Sequence, residues 1–353
     1  MRTTVARLVT LALLLIAGLT ACSVAAEEPV ESSTSTSPPT SSSSSTTSTS
    51  LAATSTTAVA ATSLLNGLPV EDASLLDRRV MAVKIDNHPR ARPHSGVNNA
   101  DMVIEMLVEG VTRFISLWHE SDSDYLGPNR SGRPTDAALL PAFNHPTFTI
   151  SGAQGWVQDL ITSNGVNLIK ELSNGTFRIS GRSAPHNLYV DTFILRETAD
   201  ERGYEDDPPT GPIWQFGPMP ADAAPAAVVD IGFSGNPVSW TWDATEGLWL
   251  RSIGGTESMY RDEDGTEGRI GFPVLVALYV EQYRVNGLPT SRTTGTGEAY
   301  VFADGKVVEG TWERETETEW FTLRSEDGEI IDVPPGESWV SLVPDSSGLT
   351  FSE

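Results

Sequence analysis

Four short polar clusters carry nearly all of the chemistry-bearing residue types in the first half of this 353-residue chain. The first is Asp86-Asn87-His88-Pro89-Arg90-Ala91-Arg92-Pro93, which directly follows an apolar run. On an extended chain Asp86 and His88 share a face, because side chains alternate with period 2. The second is Glu109-Gly110-Val111-Thr112-Arg113. The third, Gly127-Pro128-Asn129-Arg130-Ser131-Gly132-Arg133-Pro134, sets two arginines and a hydroxyl just before a proline that suits a helix N1 position. The fourth is Arg182-Ser183-Ala184-Pro185-His186-Asn187-Leu188-Tyr189. Arg forks and backbone N–H groups at a helix start suit a carboxylate or a phosphate. The site residues expected from these clusters are Asp86, Asn87, His88, Arg92, Glu109, Arg113, Arg130, Ser131, Arg133, His186 and Asn187. Each cluster also has a purely structural reading. Asp-Asn-His-Pro can form an Asx turn. The arginines can pair with Asp86, Glu105 or Glu109, and Pro-His-Asn can be a rigid turn.

Other chemistries are poorly represented. The chain has one Cys, so it offers neither an intrachain disulfide nor a Cys-rich zinc site. HExxH and GxSxG are absent, and Asp86, His88 and His186 are a weak ligand set, so no metal and no cofactor is expected. The net charge of −24 argues against nucleic acid as a partner, because Lys and Arg supply that affinity.

The elements that must position the clusters follow from periodicity. Val80 to Ile85 reads as a buried strand, and Met102 to Val108 with Thr112 to Trp118 as a hairpin around Glu109-Gly110. Pro134 starts a helix through Phe143, Thr147 to Ser151 is a strand, and a helix carries Trp156, Val157, Leu160 and Ile161 on one face. The second half reads as strand and turn, with a hairpin around Ala303-Asp304-Gly305 and turns at Ser325–Gly328 and Pro334–Gly336. Glu313, Glu315, Glu317 and Glu319 alternate, which predicts four carboxylates on one face of a solvated edge strand. The expected class is α+β, with a layered, sandwich-like α/β first half and a β-rich second half.

Charge separates these halves. Residues 65–199 hold 12 basic and 15 acidic residues, a balance of −3, whereas residues 200–353 hold 9 and 29, a balance of −20. Six prolines between Gly203 and Ala227 read as a linker. The organisation expected is a signal peptide over 1–22, a disordered Ser/Thr-rich tether over 23–64, an α/β domain over 65–202, a Pro-rich linker over 203–229 and an acidic β-rich domain over 230–353. Arg2 and Arg7 precede the apolar run Leu8–Leu19, which at about 18 Å is too short for a hydrocarbon core of about 30 Å. Leu19-Thr20-Ala21-Cys22 resembles a bacterial lipobox, which implies diacylglyceryl attachment at Cys22 and anchoring on the extracytoplasmic face of the membrane.

The four clusters and, in the second half, Gly297–Trp312 and Pro335–Val340 are similar to the YerB-like bacterial lipoproteins. The resemblance spans roughly Leu65 to Val343. Gly132 departs from it, where Ala is more usual. It implies a membrane-anchored α+β fold and brings no established activity and no catalytic residues. The residue types point to a binding or scaffolding module that captures an anionic envelope ligand such as a cell-wall component. The alternative is an envelope hydrolase or transferase acting on a phosphorylated or carbohydrate substrate, with His186 or His88 as acid/base. Geometry separates the two, since an acid or base must sit about 2.6–3.2 Å from the proton it moves.

Overall fold

The computed structural model describes residues 61–353. Cys22, the signal peptide and the tether as far as residue 60 lie outside the described residues. Four strands of the first half are buried end to end or nearly so, β1 (Met81–Asp86), β2 (Met102–Leu107), β3 (Thr112–Trp118) and β4 (Thr147–Ile150), and a fifth, β5 (Asn167–Lys170), is buried only at Leu168 and Ile169. β2 and β3 form the expected hairpin around Gly110, whose φ of 71° suits glycine. The helices are short: α1 (Pro134–Leu139), α2 (Gly155–Ser163) and α3 (Thr192–Glu201). Pro134 does open α1, and Asp136 accepts the backbone N–H of Arg133 at 2.7 Å. Val157 and Ile161 form the buried stripe of α2.

The layered α/β arrangement expected for the first half gives way to a β-rich architecture. The order across the main sheet is Thr322–Arg324, Lys306–Arg314, Gly295–Ala303, Val274–Val280, Ser338–Pro344, β2, β3, β1, β4, β5. Strands from both halves therefore share one sheet. Its seam is the parallel pair of β2 with Ser338–Pro344, running from Met102 opposite Ser338 to Met106 opposite Leu342. A second sheet holds Val228–Ile231, Val238–Asp243, Leu248–Ile253 and Leu349–Ser352.

Each face of the main sheet is buried differently. On one face Ala82, Ile104, Ile115 and Leu117 pack with Ala137, Leu140, Val157 and Ile161 of the helical layer. On the other, Val83, Val103, Phe114 and Trp118 meet Val229, Trp240 and Trp249 of the second sheet. Two faces covered by different partners explain why these strands read as continuous apolar runs rather than alternating ones.

The turn at Asp304-Gly305 has φ of 53° and 67°, the left-handed pair that two-residue hairpins require. The glutamate alternation, by contrast, does not lie along an edge strand. That strand ends at Arg314 and pairs on both sides, with Gly295–Ala303 and Thr322–Arg324. Residues 315–319 instead turn around buried Arg314, which donates to the carbonyls of Ala138, Thr293, Glu317 and Glu319. Four carbonyl partners for one guanidinium outweigh the period-2 pattern, because an unsatisfied buried cation costs far more than a broken strand. The Pro-rich stretch crosses the molecule irregularly and buries Ile213 and Trp214 in the core.

Candidate functional site

The polar clusters meet at the C-terminal end of β1, where Asp86 lies opposite Arg113 at the start of β3. Strand alternation splits the first cluster. Asp86 and Arg113 share the face of Lys84, toward the helical layer, while Asn87 bonds Thr112 on the face of the second sheet. Two networks therefore flank the same strand ends.

The first network centres on the Asp86 carboxylate, which is almost fully buried. His186 Nδ1 lies 2.7 Å from Oδ2, and the backbone N–H of His88 donates to Oδ1 at 3.0 Å. With Nδ1–H turned to the carboxylate, His186 is left with Nε2 as its acceptor. The His88 ring stacks on His186 with centroids 4.5 Å apart. Burial and the neighbouring imidazole hold His88 below the usual histidine pKa. Arg130 Nε is 3.3 Å from Asp86 Oδ2, an ion-pair distance without hydrogen-bond alignment, so Nε is buried and unbonded. Among the described residues the Arg130 side chain makes no hydrogen bond.

Its neighbours are engaged. Arg133 forks onto Glu109 at 2.7 and 2.9 Å and donates to the Gly132 carbonyl. Arg113 donates to the Ser131 carbonyl at 2.8 Å and pairs more loosely with Glu109 at 3.6 Å. Burial, aided by the Arg133 charge, pushes the Arg113 guanidinium down to about 10. The Ser131 hydroxyl is 3.3 Å from that of Ser151. Behind them the fully buried Lys84 ammonium meets Asp136 at 2.6 Å. Lys84, Arg113, Arg130 and Arg133 face Asp86, Glu109 and Asp136, which leaves one cation in excess.

The second network is built for cohesion. Asn87 donates to Thr112 Oγ1, which donates to Glu105 Oε1, each at 2.6 Å. Arg251 from the second sheet reaches the same Oε1 at 2.6 Å, and Trp339 Nε1 donates to Oε2 at 3.0 Å. The Arg251 guanidinium lies against the rings of Phe114, Trp240 and Trp339. Arg92 donates to Asn87 Oδ1 and to its carbonyl. Asn87 and Arg92 thus belong to the junction between the sheets rather than to the Asp86 cluster. Asn187 stands apart as well. It receives a bond from Arg178 and donates to the carbonyls of Ile179 and Arg182, closing its own loop.

Sequence reasoning missed Lys84, His94, Asp136 and Arg251. A charged residue inside an apolar run is a local signal for Lys84. Arg251 is 146 positions from its partner Glu105, which no local pattern reveals. Among the described residues no group of three or more His, Cys, Asp or Glu side chains is placed to hold a metal ion.

A two-sheet, β-rich chain with these strings at its strand ends defines a class that two family models recognise. Residues 65–205 match the N-terminal domain, and residues 229–340 the C-terminal domain, of a protein of unknown function, DUF3048. The chain belongs to this YerB-like family. It is 27 % identical over 302 residues to "Putative lipoprotein YerB" of Bacillus subtilis, covering 82 % of this chain and 88 % of that one. The crystal structure of the B. subtilis YerB protein superposes with a TM-score of 0.71 at 24 % identity, over 82 % of this chain and 99 % of that chain, a likeness of fold.

Proposed function

We propose that this protein is a lipid-anchored envelope module that captures an anionic group, a phosphate or carboxylate, at Arg130 beside His88 and His186. The carrying observation is Arg130. It is the one arginine of the Asp86 network whose side chain makes no hydrogen bond among the described residues, in a cluster with one cation in excess. A guanidinium held in place without hydrogen-bond acceptors is ready for a bidentate oxyanion. Lipid anchoring is supported by the Cys22 string and by the name of the Bacillus relative.

Calorimetry with glycerol-phosphate oligomers and inorganic pyrophosphate tests the reading. Arg130→Ala is expected to weaken binding at least tenfold, consistent with about 1.5–3 kcal/mol for a hydrogen bond to a charged group. Its melting temperature should stay within a few degrees of wild type. Wild-type protein that binds neither probe, or a variant that binds as wild type, counts against the site.

The 2.7 Å contact of Asp86 with His186 supports a second reading, an acid/base function for His186 Nε2 on a phosphorylated or carbohydrate substrate. Turnover of a phosphodiester or glycoside that His186→Gln abolishes would favour it over simple capture.

A further inference from the structure

The loop that carries His186 to Asp86 also walls a cavity of about 260 Å³, lined by Ser95, Tyr125, Arg182, Tyr189, Arg261 and Asp262 among others. Its floor is aromatic. The Tyr125 and Tyr189 rings have centroids 4.6 Å apart, and Phe177 lies 6.0 and 6.2 Å from them. Tyr189 is buried and Tyr125 half-buried. The floor is fitted closely to the backbone beneath it, since a Cβ on Gly127 would come within 2.8 Å of the Tyr189 ring.

The charges around this cavity are already spent. Arg182 donates to the carbonyls of Ala91 and Pro93, and Arg261 pairs with Glu267. With Asp262 and with Glu263, whose charge reaches Tyr125, these make two cations and three carboxylates. An anion therefore finds no excess cation here, unlike at Arg130. Unused hydrogen-bonding capacity remains. The Tyr125 hydroxyl has no partner among the described residues. Asp262 uses only Oδ1, in a long 3.4 Å contact with the Gly96 N–H. The Tyr189 hydroxyl has only a 3.4 Å contact with Ser95 Oγ, which is committed to the Arg261 carbonyl.

An amphipathic aromatic platform ringed by unused acceptors and hydroxyls, without excess positive charge, suits an uncharged ligand with one apolar face and a rim of hydroxyls. We propose that this cavity is a saccharide site, seating one neutral sugar ring against Tyr125 with Asp262 accepting from its hydroxyls. The inference stands on this cavity alone and does not need the anion site.

Saturation-transfer NMR on the full chain, with the N-acetylglucosamine disaccharide, maltose and lactose as probes, tests it. Transfer to at least one disaccharide is expected. Tyr125→Ala should weaken that binding at least tenfold, whereas Tyr125→Phe, which keeps the ring, should stay within about threefold. Ser180→Trp, on the exposed part of the loop lining the cavity, should block it without touching the core. Arg130→Ala should leave sugar binding unchanged, which separates this site from the anion site. Absence of transfer from folded protein to any of the three sugars overturns the proposal. So does binding that survives Ser180→Trp, the variant that decides the matter if Tyr125→Ala fails to fold.

Discussion

His94 is wholly buried, with Nε2 2.8 Å from the Asp86 carbonyl and its ring 5.2 Å from that of Phe114. A carbonyl only accepts, so Nε2 carries the proton and donates. Burial pushes its pKa down to about 3, with the Arg251 and Arg92 charges acting in the same direction. An unfolded histidine titrates near 6.5. Between those values the unfolded chain binds the proton and the folded chain does not, so stability falls as pH drops from about 6.5 toward 3. The slope from this one group approaches about 1.4 kcal/mol per pH unit in that window. His94→Gln, which keeps a donor and cannot titrate, should flatten the urea-midpoint profile between pH 6.5 and 4. An unchanged profile would place the acid sensitivity elsewhere. The same scale shows where sequence reading stops. Asp86 and Asn87 are neighbours in one motif, yet alternation sends them to opposite faces, Asp86 to His186 and Asn87 to Thr112. Types and spacing mark both as polar strand-end residues, and only the sheet decides which of them meets Arg130 and which meets Arg92.

Elements whose signals are local were legible. The hairpin around Gly110, the helix start at Pro134 and the Asp304-Gly305 turn all follow from residues within a few positions of one another. Pairing between distant strands was not. β2 runs beside Ser338–Pro344, and nothing near either strand names the other. Both are almost wholly buried and rich in apolar residues, which says that each is covered and not by what. The pairing has a measurable consequence. Residues 65–202 made alone would expose the seam edge of β2 and the face of Val83, Val103 and Phe114 that the second sheet covers. Such an edge is a template for association. That fragment should be oligomeric or poorly dispersed in NMR spectra, and adding a chain of residues 203–353 should restore dispersion. A monomeric, well-dispersed fragment would show that the first half needs no partner strand.

At the scale of the molecule, the charge distribution is written in the primary structure, and the proposed attachment rests on the string that ends at Cys22. The balance of −3 over residues 65–199 and −20 over residues 200–353 keeps the arginines of the candidate site away from most of the acidic residues in sequence. Attachment through Cys22 predicts that radiolabelled palmitate enters the wild-type protein and that Cys22→Ala leaves the membrane fraction. Label-free wild-type protein would remove the anchor. No helix among the described residues is long and apolar enough to cross a membrane.

The seam also sets a clock. Synthesis runs from the N-terminus, and about 230 residues separate the end of β2 from the strand that completes it. At roughly 5–20 residues per second the ribosome needs about 10–50 s to deliver that strand. For that interval the edge of β2 has no partner strand in the nascent chain. The chain is thus most dependent on a holding chaperone while it is still being made, and a late truncation that removes Ser338–Pro344 would leave it in that state permanently.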